Sequence, residues 1–305
     1  LHTVLGATGG AGRAIAEELI AQGHRVRSVN RSGTPLPDAE SLAADVETAE
    51  GALAAVTGSD VVYFAAQPPY EKWVGRFPAM LRNVLKAVEQ RDAKLVMVDN
   101  LYMYGPGSSP MTEATPMRAA DKKGQVRIEM VEMLDDATAR GVRVTSGRAS
   151  DYFGPDSGNS AISALAIAPA KAGKSPKWMG RLDCAHSVAY LPDVARAYVI
   201  LGTDDRADGH HWVLPHAATV TGREFLDLVT ETAGLPASKG RISKPILTMA
   251  APFHAITRES LGVYYQWDAP FVADSSRFES TFGPFESTSL MRAVNDTMAV
   301  RQNGS

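Results

Sequence analysis

Apolar runs and helix-like segments alternate along the first half of the chain. Six short apolar runs have the length and composition of strands, at positions 3–5, 23–29, 42–46, 60–66, 94–98 and 142–148. Between them, apolar residues recur at intervals of three and four, as from Phe77 to Arg91, which is typical of an amphipathic helix. Strands that alternate with helices predict a doubly wound α/β fold with a parallel sheet.

A glycine-rich turn follows the first predicted strand and leads directly into a helical segment. Gly6 permits a tight turn, Gly9 lets backbone N–H groups approach a pyrophosphate, and Gly12 allows the helix to pack close to the strand. The helix N-terminus adds partial positive charge. We therefore predict a Rossmann-type dinucleotide site that includes Gly6, Thr8, Gly9, Gly10, Ala11 and Gly12.

The residues after the second predicted strand indicate which dinucleotide binds. In NAD-preferring folds, an acidic side chain about twenty residues beyond the glycines accepts a hydrogen bond from the ribose 2′-hydroxyl. Here Asn30, Arg31 and Ser32 occupy that place and no acid is present. Because Arg31 can pair with a 2′-phosphate, the sequence favours NADP over NAD. The alternative is that Arg31 is a solvated loop residue.

Composition limits the other classes of partner. The 305 residues carry a formal net charge of −3, so nothing favours nucleic acid or an anionic membrane. No apolar run is long enough to span a bilayer, and the first strand begins at once, so we expect a cytoplasmic protein. The single cysteine, Cys184, excludes an internal disulfide framework and a cysteine zinc site. His210 and His211 are adjacent on a predicted strand and point to opposite faces, so we predict no metal site.

The glycine spacing, G-x-x-G-x-x-G, resembles that of the extended and atypical short-chain dehydrogenases/reductases, the epimerase/dehydratase superfamily. The resemblance continues in Asp99 to Pro106, which is similar to the family's Ser-Ser-x-x-Val-Tyr-Gly stretch, and in Arg148 to Pro155, which is similar to Arg-x-x-x-x-(Tyr/Phe)-Gly-Pro. It implies cofactor contacts after the third and fourth strands, from Asp45, Val46, Ala65, Ala66 and Gln67.

The sequence departs from the family at its catalytic residues. Alignment on Tyr104 places Asn100 where the family has its catalytic serine or threonine. The family's Tyr-x-x-x-Lys pair is absent, and Asp121 and Gln125 align with its two positions. The basic residues Lys122, Lys123 and Arg127 are close by, and the alignment leaves open which of them faces the cofactor.

The resemblance also implies how the chain divides. A Rossmann domain is expected from residues 1–152 plus about 186–204, and a smaller substrate-binding subdomain from residues 153–185 and 205–305. The helices at 77–91 and 122–140 correspond to those that pair subunits in many relatives, which allows a homodimer.

We interpret the chain as an NADP(H)-dependent oxidoreductase that transfers hydride to or from a small carbonyl or activated alkene substrate. Tyr102, Tyr104 and Asn100 are the predicted catalytic residues, with Tyr102 preferred as the group beside the nicotinamide and Asn100 contacting both substrate and cofactor. Two alternatives stay open. One is a non-catalytic NADP(H) sensor resembling the NmrA-like regulators, and the other is a nucleotide-sugar epimerase or dehydratase.

Overall fold

This computed structural model describes residues 1–158 and 160–299. The strands of the described part are β1 (His2–Leu5), β2 (Val26–Asn30), β3 (Glu40–Ala43), β4 (Val61–Phe64), β5 (Lys94–Asp99), β6 (Val144–Arg148), β7 (Asp151–Phe153), β8 (Lys177–Met179), β9 (Ala185–Tyr190), β10 (His211–Val213), β11 (Ala218–Thr221) and β12 (Gly240–Ile242). A parallel seven-stranded sheet has the order β10-β6-β5-β4-β1-β2-β3.

Helices cover both faces of this sheet. The α-helices of the described part are α1 (Gly10–Ala21), α2 (Ala49–Val56), α3 (Trp73–Arg91), α4 (Lys122–Ala139), α5 (Ala168–Lys171), α6 (Leu191–Thr203), α7 (Gly222–Ala233), α8 (Lys244–Ala250), α9 (Ala255–Ser260), α10 (Tyr265–Asp268), α11 (Ser276–Phe282) and α12 (Leu290–Ala299). One face packs against α2, α3 and α4, and the other against α1, α6 and α11.

Burial on both faces explains the apolar composition of the central strands. All four residues of β4 are buried, and in β5 only Val98 is partly exposed. Parallel strands covered on both sides have continuous apolar sequences rather than alternating ones. The central apolar runs are therefore core strands, whereas the run at 42–46 overlaps the largely exposed edge strand β3. The predicted doubly wound α/β fold is confirmed.

A second group of elements packs beside the carboxyl edge of the sheet. Strands β11, β9 and β7 form a three-stranded sheet, and β12 pairs with β8. Its core contains Trp178, Phe225 and Trp267. Helix α7 starts at a capping box, in which the Thr221 hydroxyl accepts from the Glu224 N–H and the Glu224 carboxylate accepts from the Thr221 N–H.

The strand pairing differs from the predicted division of the chain at two strands. Residues 205–305 are expected in the substrate subdomain, yet β10 pairs in parallel with β6 at the edge of the central sheet. Residues 186–190 are expected in the Rossmann domain, but they belong to β9 of the three-stranded sheet. Strands β9 and β10 would be buried in either sheet. Their apolar sequences therefore do not indicate which sheet each one joins.

None of the helices in residues 1–158 and 160–299 has an apolar stretch of the length that spans a bilayer.

Candidate active site

The glycine turn joins β1 to α1 at the carboxyl edge of the sheet. Gly6 has a φ of +86°, and a Cβ there would lie 2.7 Å from the Ala66 nitrogen. A Cβ on Gly12 would lie 2.3 Å from the Gly6 carbonyl oxygen. A Cβ on Gly9, the N-cap of α1, would meet no protein atom nearer than 3.5 Å. The fold itself requires Gly6 and Gly12, whereas Gly9 leaves backbone accessible to a ligand.

A cleft runs from this turn along the ends of the neighbouring strands. It is lined by Gly6, Thr8, Gly9, Gly10, Ala11, Gly12, Val29, Asn30, Arg31, Ala44, Asp45, Val46, Glu47, Ala65, Ala66, Gln67, Pro68, Pro69, Met80 and Tyr152. The predicted cofactor residues thus lie together, apart from Ser32 and Asn100, which do not line the cleft. An elongated cleft that begins at a helix N-terminus and a glycine turn fits the pyrophosphate of a dinucleotide.

In the loop after β2, Asn30 and Ser32 hold the backbone while Arg31 faces the cleft. The Asn30 amide nitrogen donates to the Thr34 carbonyl oxygen at 2.9 Å, and its Oδ1 accepts from the Thr34 N–H at 2.9 Å. The Ser32 hydroxyl also donates to Oδ1 of Asn30, which explains why Ser32 holds the loop instead of facing the cleft. The exposed Arg31 guanidinium lines the cleft and has no hydrogen-bond or ion-pair partner among the described residues.

The acidic residues of the cleft lie after β3. Asp45 and Val46 line the cleft as expected, and Asp45 Oδ1 accepts from the Glu47 N–H. The Glu47 carboxylate forms an ion pair with Arg76 at 2.6 Å, so its charge is matched within the protein. Thr48 caps α2, where its side chain accepts from the Gly51 N–H.

Tyr104, one of the predicted catalytic residues, does not line the cleft. Its side chain is fully buried, and its hydroxyl accepts a hydrogen bond at 2.7 Å from the buried guanidinium of Arg148. It packs with Met111 and Phe271 in a small apolar cluster. The Tyr104 hydroxyl is therefore used in holding Arg148 in place.

Asn100 organises the turn after β5. Its Oδ1 accepts from the Tyr102 N–H at 3.0 Å, while its own N–H donates to Asp99 Oδ1 at 2.8 Å. The side-chain oxygen is therefore used in positioning Tyr102, and Asn100 does not line the cofactor cleft.

Tyr102 lies in the 3₁₀ turn Tyr102–Tyr104, and its hydroxyl approaches the side chains of Tyr70 and Gln266. Burial raises the pKa of Tyr102, and the carboxylate of Asp151 raises it further. The same carboxylate raises the pKa of three other phenols. We use the name tyrosine cluster for Tyr70, Tyr102, Tyr152 and Tyr265.

The cluster adjoins the cofactor cleft because its members follow neighbouring strands. Tyr70 follows β4 and the cleft residue Pro69, and Tyr152 lies after β6 and itself lines the cleft. Tyr265 comes from α10, and its hydroxyl donates to the Tyr102 carbonyl oxygen at 3.3 Å. Ligands bind outside the carboxyl ends of strands in such folds, so the cluster lies where a substrate would meet the cofactor.

A family model for the NAD-dependent epimerase/dehydratase family matches residues 2–214. The chain belongs to the NAD-dependent epimerase/dehydratase family. No curated protein sequence matches it significantly.

Solved structures of epimerases and dehydratases share the fold of this epimerase/dehydratase family member. A putative epimerase from Burkholderia cenocepacia is 20% identical, with a TM-score of 0.80, over 97% of this chain and 96% of that one. UDP-glucose 4-epimerase from Thermotoga maritima, solved with UDP-glucose, is 15% identical, with a TM-score of 0.79, over 97% of both chains. dTDP-glucose 4,6-dehydratase from Bacillus anthracis, solved with NAD, is 13% identical, with a TM-score of 0.79, over 97% of this chain and 94% of that one.

Family membership makes this protein a nicotinamide-dinucleotide-dependent enzyme. The glycine turn, with its open backbone at Gly9, and the cleft beyond it have the form such a cofactor needs. When bound there, the cofactor supplies or accepts a hydride.

Helix α4 contains the residues that align with the family's catalytic tyrosine and lysine, and the structure shows which of its side chains are buried. Gln125, aligned with the family lysine, is exposed, and Asp121, aligned with the tyrosine, caps the helix by accepting from the N–H groups of Lys123 and Gly124. Lys123 and Arg127, spaced four residues apart, are the basic residues among the buried side chains of this helix.

Both of these cations are matched by carboxylates. The Lys123 ammonium lies 2.9 Å from Glu259 and 4.3 Å from the centre of the Tyr70 ring. The Arg127 guanidinium lies 3.0 Å from Asp99 and stacks over Trp73. The Arg127 charge lowers the pKa of Tyr102, but burial and the Asp151 carboxylate raise it by more, so the net shift of this phenol is upward.

Sequence reasoning missed Tyr70, Asp151, Tyr265 and Gln266. Tyr70 and Asp151 follow strands β4 and β6 closely, so the rule that sites form at carboxyl ends of strands points to them. Tyr265 and Gln266 come from a distant segment, and nothing local in the sequence places them beside Tyr102.

Asp151 is held by a buried histidine. Its Oδ2 lies 2.9 Å from Nε2 of His186, whose side chain is 2% exposed. The His186 ring stacks on Trp267 with 4.5 Å between ring centres. The pair fixes the direction of the Asp151 carboxylate beside the tyrosine cluster.

Proposed function

We propose that this family member is an NADP(H)-dependent oxidoreductase that reduces a small carbonyl or activated alkene. The observation that carries the proposal is the tyrosine cluster, a set of protonated phenols beside the dinucleotide cleft without a lysine to ionise them. A phenol in that state is a proton donor. Reduction needs such a donor, because hydride addition leaves negative charge on the substrate.

Arg31 supports the choice of NADP. Its guanidinium is exposed, unpaired and located in the cleft wall at the end of β2. No acidic residue stands at that strand end, and the nearest cleft glutamate, Glu47, is already paired with Arg76. A 2′-phosphate would therefore meet a free guanidinium.

Tyr102 is the proposed proton donor. The Asn100 side chain fixes the backbone of Tyr102, and Tyr70 and Gln266 approach its hydroxyl. The phenol proton passes to the developing oxyanion or carbanion of the substrate, and the resulting phenolate takes a proton back from solvent through its neighbours. Tyr70 is the adjacent group for this return, because its own burial keeps it protonated.

A nucleotide-sugar epimerase or dehydratase is the second candidate, since the family and the solved relatives favour it. Both of those reactions begin with removal of a hydroxyl proton by a base. A phenol whose pKa is raised by burial and by Asp151 is a poor base. Reduction is therefore the better fit to this site.

The test is NADPH oxidation by the purified protein with a panel of aldehydes, ketones and enones, followed by product identification by NMR. Turnover of at least one member to its reduced product is expected. Conversion of UDP-glucose or dTDP-glucose to an epimer or a 4-keto-6-deoxy product, with no reductase activity on the panel, would contradict the proposal in favour of the second candidate.

A further inference from the structure

Helices α8 and α9, with the turn between them, expose several large apolar side chains. Leu247 and Ala251, four residues apart, are buried and anchor the segment to the protein. The outer side of the segment holds four of the six exposed large apolar residues in the described part of the chain: Ile246 (51% exposed), Met249 (72%), Phe253 (81%) and Ile256 (64%). We call these four residues the apolar face. Exposed apolar residues that occur singly are normal, but a group of them within a short segment marks an interaction surface.

Positive charge surrounds the apolar face. Between positions 232 and 258 the sequence contains four cations and no aspartate or glutamate. The cations are Lys239, Arg241, Lys244 and Arg258, and all four are exposed. None of them forms an ion pair with another described residue, whereas the exposed Arg143 and Arg206 are both paired with aspartates. The segment is therefore locally basic, although the whole chain has a net charge of −3.

The acidic side chains near this segment lie on the α4 side of α9. Glu259 forms an ion pair with Lys123 at 2.9 Å, so its charge is matched. Glu71, Glu129 and Glu132 line a groove together with Glu259. Three of the four cations lie instead in the stretch from β12 to the start of α8. An anionic surface would be repelled by the groove and attracted by the β12–α8 side, which sets the orientation of docking.

This combination of charge and apolar side chains fits an anionic lipid bilayer better than a protein partner. In a two-fold dimer through this face, the same patch meets itself, so the unpaired cations would face one another. An acidic protein would need a pocket for each projecting side chain and an acid for each cation. A bilayer accommodates projecting apolar side chains at its headgroup boundary and offers negative charge over its whole surface.

We propose that α8, α9 and the turn between them dock this protein on anionic membranes. The apolar face inserts at the headgroup boundary, and Lys239, Arg241, Lys244 and Arg258 contact lipid phosphates. The two short helices lie in the plane of the surface. None of these residues belongs to the cofactor cleft or to the tyrosine cluster, so docking is independent of the proposed function.

The test is flotation of the purified full chain with two kinds of vesicle, phosphatidylcholine alone and phosphatidylcholine with about 30% phosphatidylglycerol. Partition into the anionic vesicles should be at least about tenfold stronger, because only they attract the cations. It should weaken when the salt concentration is raised from about 0.05 M to about 0.5 M, since salt screens exposed charges.

A serine double variant tests the apolar contribution. Met249→Ser combined with Phe253→Ser should lower partition into the anionic vesicles at least about tenfold, because two inserted side chains are lost. Both positions are exposed, so the thermal unfolding midpoint should be kept. Met291→Ser, at an exposed apolar position of α12, is the matched control and should leave partition unchanged.

A glutamine triple variant tests the charged contribution. Replacement of Lys239, Arg241 and Lys244 by glutamine should remove most of the preference for phosphatidylglycerol. Lys86→Gln, at an exposed position of α3, is the matched control and should keep that preference.

Insertion is measured directly with Phe253→Trp. The fluorescence of the added indole should be quenched by anionic vesicles with brominated acyl chains, whereas Met291→Trp should show no added quenching. Quenching that is equal in the two variants would contradict insertion at the apolar face.

Failure to bind anionic vesicles, or equal partition into the two kinds of vesicle, would overturn the proposal. So would unchanged partition of the serine double variant. A dimer detected by sedimentation velocity without vesicles, and converted to a monomer by the serine double variant, would show that a second copy covers this face instead.

Discussion

Arg31 and Asn30 are neighbours with opposite roles. The Asn30 side-chain amide forms two hydrogen bonds with the Thr34 backbone. The Arg31 guanidinium, in the cleft wall, has no hydrogen-bond or ion-pair partner among the described residues. A short polar side chain that is satisfied by backbone builds a loop, whereas a long cation left unpaired beside a cleft is available to a ligand.

Arg31→Ala tests the cofactor assignment. The wild type is expected to bind NADPH at least about tenfold tighter than NADH, and the variant should lose most of that preference because the 2′-phosphate loses its guanidinium. Fluorescence titration with both cofactors measures the ratio. Arg25→Ala, at the exposed position before β2, should change nothing. Equal affinities of the wild type for the two cofactors would refute the assignment.

Tyr102→Phe and Tyr104→Phe should separate chemistry from stability. Loss of the proposed donor at Tyr102 should lower kcat by about a hundredfold with the fold intact. Loss of the Tyr104 hydroxyl leaves the buried Arg148 without that bond, so the free energy of unfolding should fall by about 1–3 kcal/mol while kcat is kept. Steady-state kinetics and urea unfolding measure the two effects. Wild-type turnover by Tyr102→Phe would remove this phenol from the mechanism.

The pH dependence follows from the direction of the Tyr102 shift. Because burial and Asp151 raise the pKa of Tyr102, the hydroxyl stays protonated through about pH 10, where an exposed tyrosine titrates, and beyond it. Reduction at saturating NADPH should therefore show no loss of kcat from this group between neutral pH and that range. A fall in kcat just above neutral pH that is absent from Tyr102→Phe would show that the Tyr102 phenol ionises in that range.

At the scale of elements, the glycine turn must both let α1 pack against β1 and leave space for a ligand. Substitutions at different glycines can separate these two requirements. Gly12 is required by the fold, since a Cβ there would lie 2.3 Å from the Gly6 carbonyl oxygen. At Gly9 the nearest protein atom would be 3.5 Å away. Gly12 allows α1 to pack against β1, and Gly9 leaves room for a phosphate.

Gly9→Val should abolish binding of NADPH with little change in the unfolding midpoint, because the lesion is a steric block outside the packed core. Gly12→Val should lower the stability of the whole protein. Thermal unfolding and cofactor titration of both variants test this contrast. Normal NADPH binding by a folded Gly9→Val protein would mean that the turn does not hold the pyrophosphate.

Much of the element order was predictable, because periodicity and glycine spacing are local. The turn, the strands beside it and the capping box at Thr221 all carry signals within a few residues. The substrate end was less predictable. Tyr265 and Gln266 reach Tyr102 only through the packing of α10, and the alignment of α4 could not say that Lys123 and Arg127 face inward. Buried ion pairs there depend on partners far along the chain.

At the scale of the whole molecule, the two parts of the protein are interleaved. The chain leaves the central sheet after β6, contributes β7 and β9 to the three-stranded sheet and β8 to the two-stranded one, and returns through α6 to place β10 against β6. Trp212 of β10 is 1% exposed and packs against Phe278 and Phe282 of α11. The sheet that binds the cofactor is therefore completed by residues from the second half of the chain.

A protein truncated after residue 204 should not fold stably, although it keeps the whole glycine turn and β1 to β6. Loss of Trp212 and Phe278 removes buried aromatic side chains worth about 3–5 kcal/mol each, and it exposes the edge of β6. Circular dichroism, thermal unfolding and NADPH titration measure the outcome, with a chain ending at residue 299 as the control. Cofactor binding by the shorter protein would show that β10 is dispensable.

The late return of β10 also affects how the protein is made. On the ribosome, β6 is complete at residue 148, but its partner begins at residue 211. While the intervening residues are being synthesised, β6 presents an unpaired edge, which is a template for pairing with other chains. This interval of translation is when the nascent protein is exposed to misassembly and when a chaperone would protect it.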